Sequence, residues 1–189
     1  MAALRTLLAP TGWPDRARAF ARVLRRSTAA PGGLLLVGSP AEEPWHLAAH
    51  LDDESRLAGI PELTPTLVRW QVPAGAPPHL RVGLDRLEAA RRGETLFVVT
   101  PDTAPVPLLE RVNDARKVGA TILAMNQGDP ELDGLAHEAL TIQPGATPVS
   151  FTVAQHLVSA AAGERVPLAR RGMRERLARL LDVVSGPPA

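Results

Sequence analysis

Two histidines have the spacing of metal ligands on one predicted helix. His46 and His50 are four residues apart in the helix-like segment 40–59. Side chains at i and i+4 lie on one face of a helix, so both imidazoles can bind one divalent metal ion if a third ligand joins them. A divalent metal is therefore possible, although no cofactor is required. The alternative is that both histidines are solvent-exposed or hold structural hydrogen bonds.

Further polar residues follow three apolar runs of the sequence. Because the runs lack alternation, they are typical of parallel strands covered on both faces. Loops that follow parallel strands emerge at one edge of the sheet, where ligands bind in α/β proteins. The residues that this argument places together, as candidate ligand-binding residues, are Gly38, Ser39, Thr100, Asp102, Thr103 and Asn126.

The elements that position these residues alternate along the chain. The segments 34–39, 66–70, 95–100, 120–126 and 140–144 are predicted strands. The segments between and around them, 11–33, 40–59, 79–93, 101–119, 128–139 and 150–163, have helical character. Strands that alternate with helices indicate a parallel sheet wrapped on both sides. The sequence therefore predicts an α/β fold, a flavodoxin-like three-layer α/β/α sandwich with a five-stranded parallel sheet.

Length and composition fit a single domain spanning residues 1–189. The 189 residues, 45% of them hydrophobic, can bury a core of their own. We expect this core over about 13–163 and an amphipathic C-terminal helix over about 167–184. No apolar run reaches the roughly 20 residues that span a bilayer, so no membrane partner is expected. The first ten residues do not resemble a secretory signal, and we expect a cytoplasmic protein.

Charge gives no reason to expect a nucleic-acid partner. The formal net charge is +1, and no aromatic residues accompany the arginine-rich segments as stacking platforms would. Arginines crowd the early segment 16–26 and the terminal segment 165–179. These segments are either solvated helix faces or a charged rim around a subunit interface.

The segment 115–145 carries a resemblance to a known family. The segment is predicted to contain, in order, a helix end, a strand, a polar loop, a short helix and a short strand. The residues that carry the resemblance are Ala115, Lys117, Gly119, Ala120, Leu135 and Ala136. This order is similar to the second half of the SIS (sugar isomerase) domain, although His137 stands where that family usually has Asp. The segments 32–39 and 94–110 resemble its first strand with its glycine turn and its central strand with its phosphate loop.

The resemblance implies a phosphosugar ligand held by a serine-rich loop after the central strand. A phosphate is stabilised there by hydroxyls and backbone N–H groups at a helix N-terminus. The present loop, 100–107, departs from the family because Asp102 stands between Thr100 and Thr103 and three of its residues are prolines, which lack the N–H donor. We therefore expect a degenerate or rebuilt phosphate loop.

The phosphoheptose isomerase branch of the family supplies further candidates. It has metal-binding His and Glu at similar spacing on the helix after the first strand, so His46 matches and His50 stands in place of Glu. A further His of that branch lies where this chain has His156. The resemblance thus implies a metal site of His46, His50 and His156. Isomerisation needs an acid and a base, for which Glu43 and His156 are our candidates. SIS domains commonly pair through helices, which implies a homodimer.

Three functions follow from these residues. The first is a divergent SIS-like domain, non-catalytic or of unproven activity, that binds a phosphosugar or a related small metabolite. The second is an aldose–ketose sugar-phosphate isomerase of the phosphoheptose type. The third is an interaction protein that uses the scaffold to hold a partner. His79 and His137 have no partner motif, and we interpret both as surface or structural residues.

Overall fold

Five short strands form one parallel sheet in the computed structural model, which describes residues 8–77, 80–145 and 149–164. The strands are β1 (Leu34–Val37), β2 (Pro65–Val68), β3 (Thr95–Val99), β4 (Thr121–Asn126) and β5 (Glu138–Thr141). Their order in the sheet is β2-β1-β3-β4-β5, and every neighbouring pair is parallel. This order places the ends of β1, β3 and β4 side by side.

Six helices accompany the sheet in the described part of the chain. They are α1 (Trp13–Ser27), α2 (Trp45–Ala58), α3 (Asp85–Glu88), α4 (Val106–Lys117), α5 (Pro130–Leu135) and α6 (Phe151–Gly163). Two 3-10 turns, Ala9–Thr11 and Pro61–Leu63, precede α1 and β2. The first helix has a buried apolar stripe at helical spacing, formed by Trp13, Ala17, Phe20 and Leu24.

The helices cover both faces of the sheet because successive strand residues point to opposite sides. Leu34 and Leu36 of β1 pack in one cluster with residues of α1, α2 and α6. Leu35 and Val37 pack in a second cluster with residues of α3, α4 and α5. Both faces are apolar, which explains why the strand sequences are continuous apolar runs. The predicted three-layer α/β/α sandwich is confirmed.

The predicted helix over 79–93 is much shorter in the structure. Among the described residues of this segment, 80–93, only Asp85–Glu88 forms an α-helix, because the residues before it pair with the end of β2. The backbone N–H of Arg69 donates to the carbonyl of Val82 (2.8 Å), and Arg69 forms a parallel bridge with Gly83. These extended residues cannot join a helix.

Two other elements begin or end at residues different from those predicted. The predicted strand 140–144 begins earlier, at Glu138, and ends at Thr141. The short predicted helix 128–139 is confined to Pro130–Leu135, since the backbone of His137 already pairs with Ile122 of β4. The predicted C-terminal helix over about 167–184 lies outside the described residues. No helix within the described ranges is long and apolar enough to cross a membrane.

Candidate functional site

The carboxyl edge of the sheet brings the predicted ligand-binding residues of three strands together. Val37 of β1 is in register with Val98 of β3, which is in register with Ala124 of β4. Ser39, Thr100 and Asn126 therefore stand at adjacent strand ends, and all three are buried. Their polar atoms are largely committed to holding the loops of this edge.

Gly38 and Ser39 begin a tight turn after β1. The backbone N–H of Ser39 donates to the carbonyl of Glu42 (3.1 Å), and the hydroxyl of Ser39 accepts from the N–H of Glu42 (3.2 Å). A Cβ on Gly38 would lie 2.2 Å from the carbonyl oxygen of Glu42, so only glycine fits. The carbonyl of Gly38 accepts from the indole Nε1 of Trp70 (2.7 Å). The predicted glycine turn is thus a packed structural element.

The loop after β3 offers few donors to an anion. The Thr100 hydroxyl donates to the carbonyl of Asp102 (2.7 Å). Pro105 precedes α4 and Pro107 lies in its first turn, and neither has a backbone N–H. The N–H of Leu108 is already bonded to the carbonyl of Pro105 (2.8 Å). Asp102 and Thr103 are both exposed beside this loop.

Asp129 ties the loops after β3 and β4 together. Its carboxylate accepts from the backbone N–H of Ala104 (2.7 Å) across the edge. The same carboxylate caps α5 by accepting from the N–H groups of Glu131 and Leu132, each at 3.1 Å. Asp129 is buried, with 3% of its surface exposed. It was not among the sequence candidates, although an Asp before Pro at a helix start is the signal of an N-cap.

Asn126 fixes the loop after β4 to α5 from the end of that strand. Its side-chain amide donates to the carboxylate of Asp133 (2.7 Å), and its carbonyl oxygen accepts from the backbone N–H of Gly128 (2.8 Å). The open space left at this end, which we call the β3–β4 cleft, measures about 290 Å³. It is lined by Pro101, Asp102, Thr103, Gln127, Gly128, Asp129 and Pro144. Carboxylates on this lining repel an anionic ligand.

A larger cleft of about 890 Å³ opens beside the ends of β1 and β2. We call it the β1–β2 cleft, and its polar and aromatic lining residues include Glu42, Glu43, Trp45, His46, Arg69, Trp70 and Gln71. Aromatic surface beside a few placed polar groups is the usual composition of a small-molecule site. Trp45, Arg69 and Trp70 were not among the sequence candidates. The only signal for them was that Arg69 and Trp70 end the predicted strand 66–70 and that Trp45 lies early in the predicted helical segment 40–59.

Glu43 joins the two sides of the β1–β2 cleft. One of its carboxylate oxygens accepts from Nε (3.1 Å) and a terminal nitrogen (2.9 Å) of Arg69. The other accepts from the backbone N–H of Trp70 (3.2 Å). The guanidinium of Arg69 also lies over the ring of Trp45, 4.4 Å from its centroid. The predicted base therefore already accepts three hydrogen bonds.

The three histidines predicted as metal ligands lie near one another, on α2 and α6. The rings of His50 and His156 meet edge to face with centroids 4.5 Å apart. Burial lowers the pKa of His156 below 6.5, and the nearby His50 and His46 lower it further. Burial raises the pKa of the neighbouring Glu54 carboxyl, although His50 acts in the opposite direction.

The residues present do not fit a three-ligand metal site. Within the described ranges, no group of three or more His, Asp or Glu side chains could hold a metal ion. His46 lines the β1–β2 cleft, whereas His50 and His156 pack against each other. We therefore derive no chemistry through a metal.

The isolated histidines have different outcomes. His137 is structural, as predicted. Its ring Nδ1 accepts from the backbone N–H of Ile122 (2.9 Å), and the backbone N–H of His137 donates to the carbonyl of Ile122. His79 lies outside the described residues, so its interpretation stays a prediction.

Comparison with solved structures finds the same fold elsewhere. The chain superposes on the crystal structure of a "putative phosphosugar isomerase" from Silicibacter pomeroyi DSS-3 with a TM-score of 0.53 and 17% sequence identity, over 92% of this chain and 50% of that one. This likeness establishes the fold. The chain shares its parallel α/β architecture with that protein and spans about half the length of that structure.

A second neighbour has lower similarity. The Vibrio vulnificus NanR protein, solved in complex with ManNAc-6P, gives a TM-score of 0.49 at 10% identity over 96% of this chain and 73% of that one. Neither the protein-family models nor the curated proteins compared with this chain give a match.

Proposed function

We propose that this protein binds a phosphosugar or a related small polar metabolite at the carboxyl edge of its sheet and does not isomerise it. The observation that carries this proposal is the pair of clefts, of about 890 and 290 Å³, that open at that one edge. Parallel α/β sheets bind their ligands at this position. The fold shared with the Silicibacter pomeroyi protein makes sugar phosphates the first ligands to test.

The absence of catalysis is proposed from the state of the candidate acid and base. A general base must reach the proton that it removes with a free lone pair. The carboxylate of Glu43 already accepts from Arg69 and from the backbone of Trp70. His156 packs against His50 on the α2–α6 side, and it is not among the residues that line the cleft containing Glu43.

Thermal unfolding with a ligand panel tests the proposal. The panel pairs each aldose or ketose phosphate with its free sugar, and inorganic phosphate at equal ionic strength is the control. At ten times Kd, a ligand adds about 1.4 kcal/mol of stability, which raises the Tm by about 4 °C. Proton NMR of the same mixtures is expected to show no interconversion of aldose and ketose. A panel that leaves the Tm unchanged would contradict the proposal.

A sugar-phosphate isomerase of the phosphoheptose type is the second candidate. It is favoured by the contact of His50 with His156 and by the influence of His46 on the pKa of His156. A histidine whose pKa is lowered by burial stays neutral near pH 7 and is able to accept a proton. NMR turnover that disappears in His156→Gln while ligand binding persists would establish this candidate over the first.

A further inference from the structure

Trp45 is exposed at the mouth of the β1–β2 cleft. It is the first residue of α2, and 42% of its surface remains accessible, whereas Trp13 is only 2% exposed. A tryptophan ring offers a large, rigid apolar face that loses little conformational entropy when it stacks on a ligand. An exposed indole inside a concave polar site is therefore a candidate contact surface.

Neighbouring side chains hold this ring in place. Arg69 lies over the Trp45 ring and is fixed by its ion pair with Glu43, in which the two side chains are only 12% and 14% exposed. Trp70 also lines the cleft, and its indole N–H is fixed by a hydrogen bond to the carbonyl of Gly38. Because these contacts exist without a ligand, the stacking surface is preformed, and little ordering is needed on binding.

The charges of the cleft indicate which part of a ligand it fits. Glu43 neutralises Arg69, and the other polar lining residues include Glu42, His46 and Gln71. This combination offers hydrogen-bond donors and acceptors without an uncompensated arginine. Phosphate binding favours an arginine that is free to form paired hydrogen bonds. The lining therefore suits a hydroxyl-rich, uncharged ring, whose C–H face packs on an indole while its hydroxyls bond to polar side chains.

We propose that the β1–β2 cleft is a saccharide subsite in which the ring of a sugar stacks on Trp45, while Arg69 donates hydrogen bonds to its hydroxyls. Arg69 has five N–H donors, of which the ion pair uses two nitrogens, so donors remain for a ligand. The inference rests on the proposed function and goes further, because it names the cleft and the group that recognises the ring.

Calorimetric titration of three variants tests this subsite with the best ligand of the panel. Trp45→Ala is expected to weaken binding by about tenfold or more, which corresponds to a lost aromatic contact. Trp45→Phe keeps a stacking face and is expected to stay within about threefold of the wild type. Leu57→Ala is the matched control, since Leu57 is an exposed apolar residue of the same helix (74%) outside the cleft lining. It should bind as the wild type does.

Intrinsic fluorescence gives a second readout that does not depend on the stability of Trp45→Ala. A sugar ring stacked on Trp45 should change the wild-type emission, and most of this change should vanish in Trp45→Phe although binding persists. If Trp45→Ala binds like the wild type, or Trp45→Phe keeps the full emission change, the subsite is wrong while the proposed function stands. If no sugar of the panel binds the wild type, the proposed function fails and the subsite fails with it.

Discussion

The two ends of the carboxyl edge use their polar residues in opposite ways. At the β3–β4 cleft, the buried side chains of Asp129 and Asn126 accept hydrogen bonds from the backbone of the surrounding loops. At the β1–β2 cleft, Arg69 and Glu43 pair with each other but stay partly exposed beside Trp45. Both groups stand at strand ends of one parallel sheet. Position at the edge therefore does not identify a ligand-binding residue, and unused hydrogen-bonding capacity is the better criterion.

Loop closure explains the difference. The loop after β4 has only three residues, 127–129, before α5 begins, so its backbone N–H groups need nearby acceptors. Asn126 accepts from the N–H groups of Gly128 and Asp129, and Asp129 accepts from Ala104 and the start of α5, so these polar groups are committed to the protein backbone. The loop after β1 has seven residues, 38–44, and only its Ser39 turn is closed in this way. The remaining space forms the larger cleft.

The largest effect is expected for Asp129→Ala. The change leaves the N–H groups of Ala104, Glu131 and Leu132 without their acceptor and should lower the free energy of unfolding by about 3 kcal/mol. Urea unfolding measures this loss. Ser150→Ala removes the N-cap of α6 alone and should cost only about 1 kcal/mol. Equal losses in the two variants would show that Asp129 does not join the loops, and the contrast between the clefts would fail.

A smaller effect is expected for Gly38→Ala at the other cleft. The new Cβ would lie 2.2 Å from the backbone oxygen of Glu42, so the turn must shift, at a cost of about 2 kcal/mol. Ligand binding should weaken as well, because the turn leads into Glu43. Gly134→Ala should instead stabilise α5 by about 0.5–1 kcal/mol, because a Cβ added there would meet no atom within 4 Å beyond its own helix and chain neighbours. Unaltered stability of Gly38→Ala in urea would refute the packed turn.

The smallest effect concerns the pH dependence of stability on the α2–α6 side, which shares α2 with the β1–β2 cleft. The pKa of His156 is lower in the folded protein than its ordinary value of 6.5, so the unfolded chain binds more protons below that pH. The contribution of His156 is complete above pH 6.5 and is lost as the pH falls toward the folded-state pKa.

His156→Gln isolates this contribution. Relative to the variant, the wild type should lose unfolding free energy as the pH falls below the ordinary histidine pKa of 6.5. Glu54, whose raised pKa gives a dependence of opposite sign in the acid range, is present in both proteins and so largely cancels in the difference. Parallel stability curves for the two proteins over this range would contradict the assigned burial of His156.

Strands β1, β3 and β4 could be predicted from the sequence because burial on both faces leaves continuous apolar runs. The predicted and observed strands agree for β1, β3 and β4 to within two residues. The segment 79–93 could not be assigned correctly because its apolar residues also fit helical spacing. The long-range pairing of Val82 and Gly83 with Arg69 decided its structure. The homodimer and the cytoplasmic location stay predictions.

The sequence by itself determined the layer architecture, since apolar periodicity and turn residues are local properties of the chain. It also placed Ser39, Thr100 and Asn126 at one edge, because parallel strands end there together. Only the tertiary structure decided which polar groups are already bonded and which remain open to a ligand. That distinction depends on partners far apart in sequence, such as Asp129 with Ala104 and Arg69 with Glu43. The donors and acceptors of a side chain are satisfied by its neighbours in space, and residue type alone does not reveal which neighbours it will have.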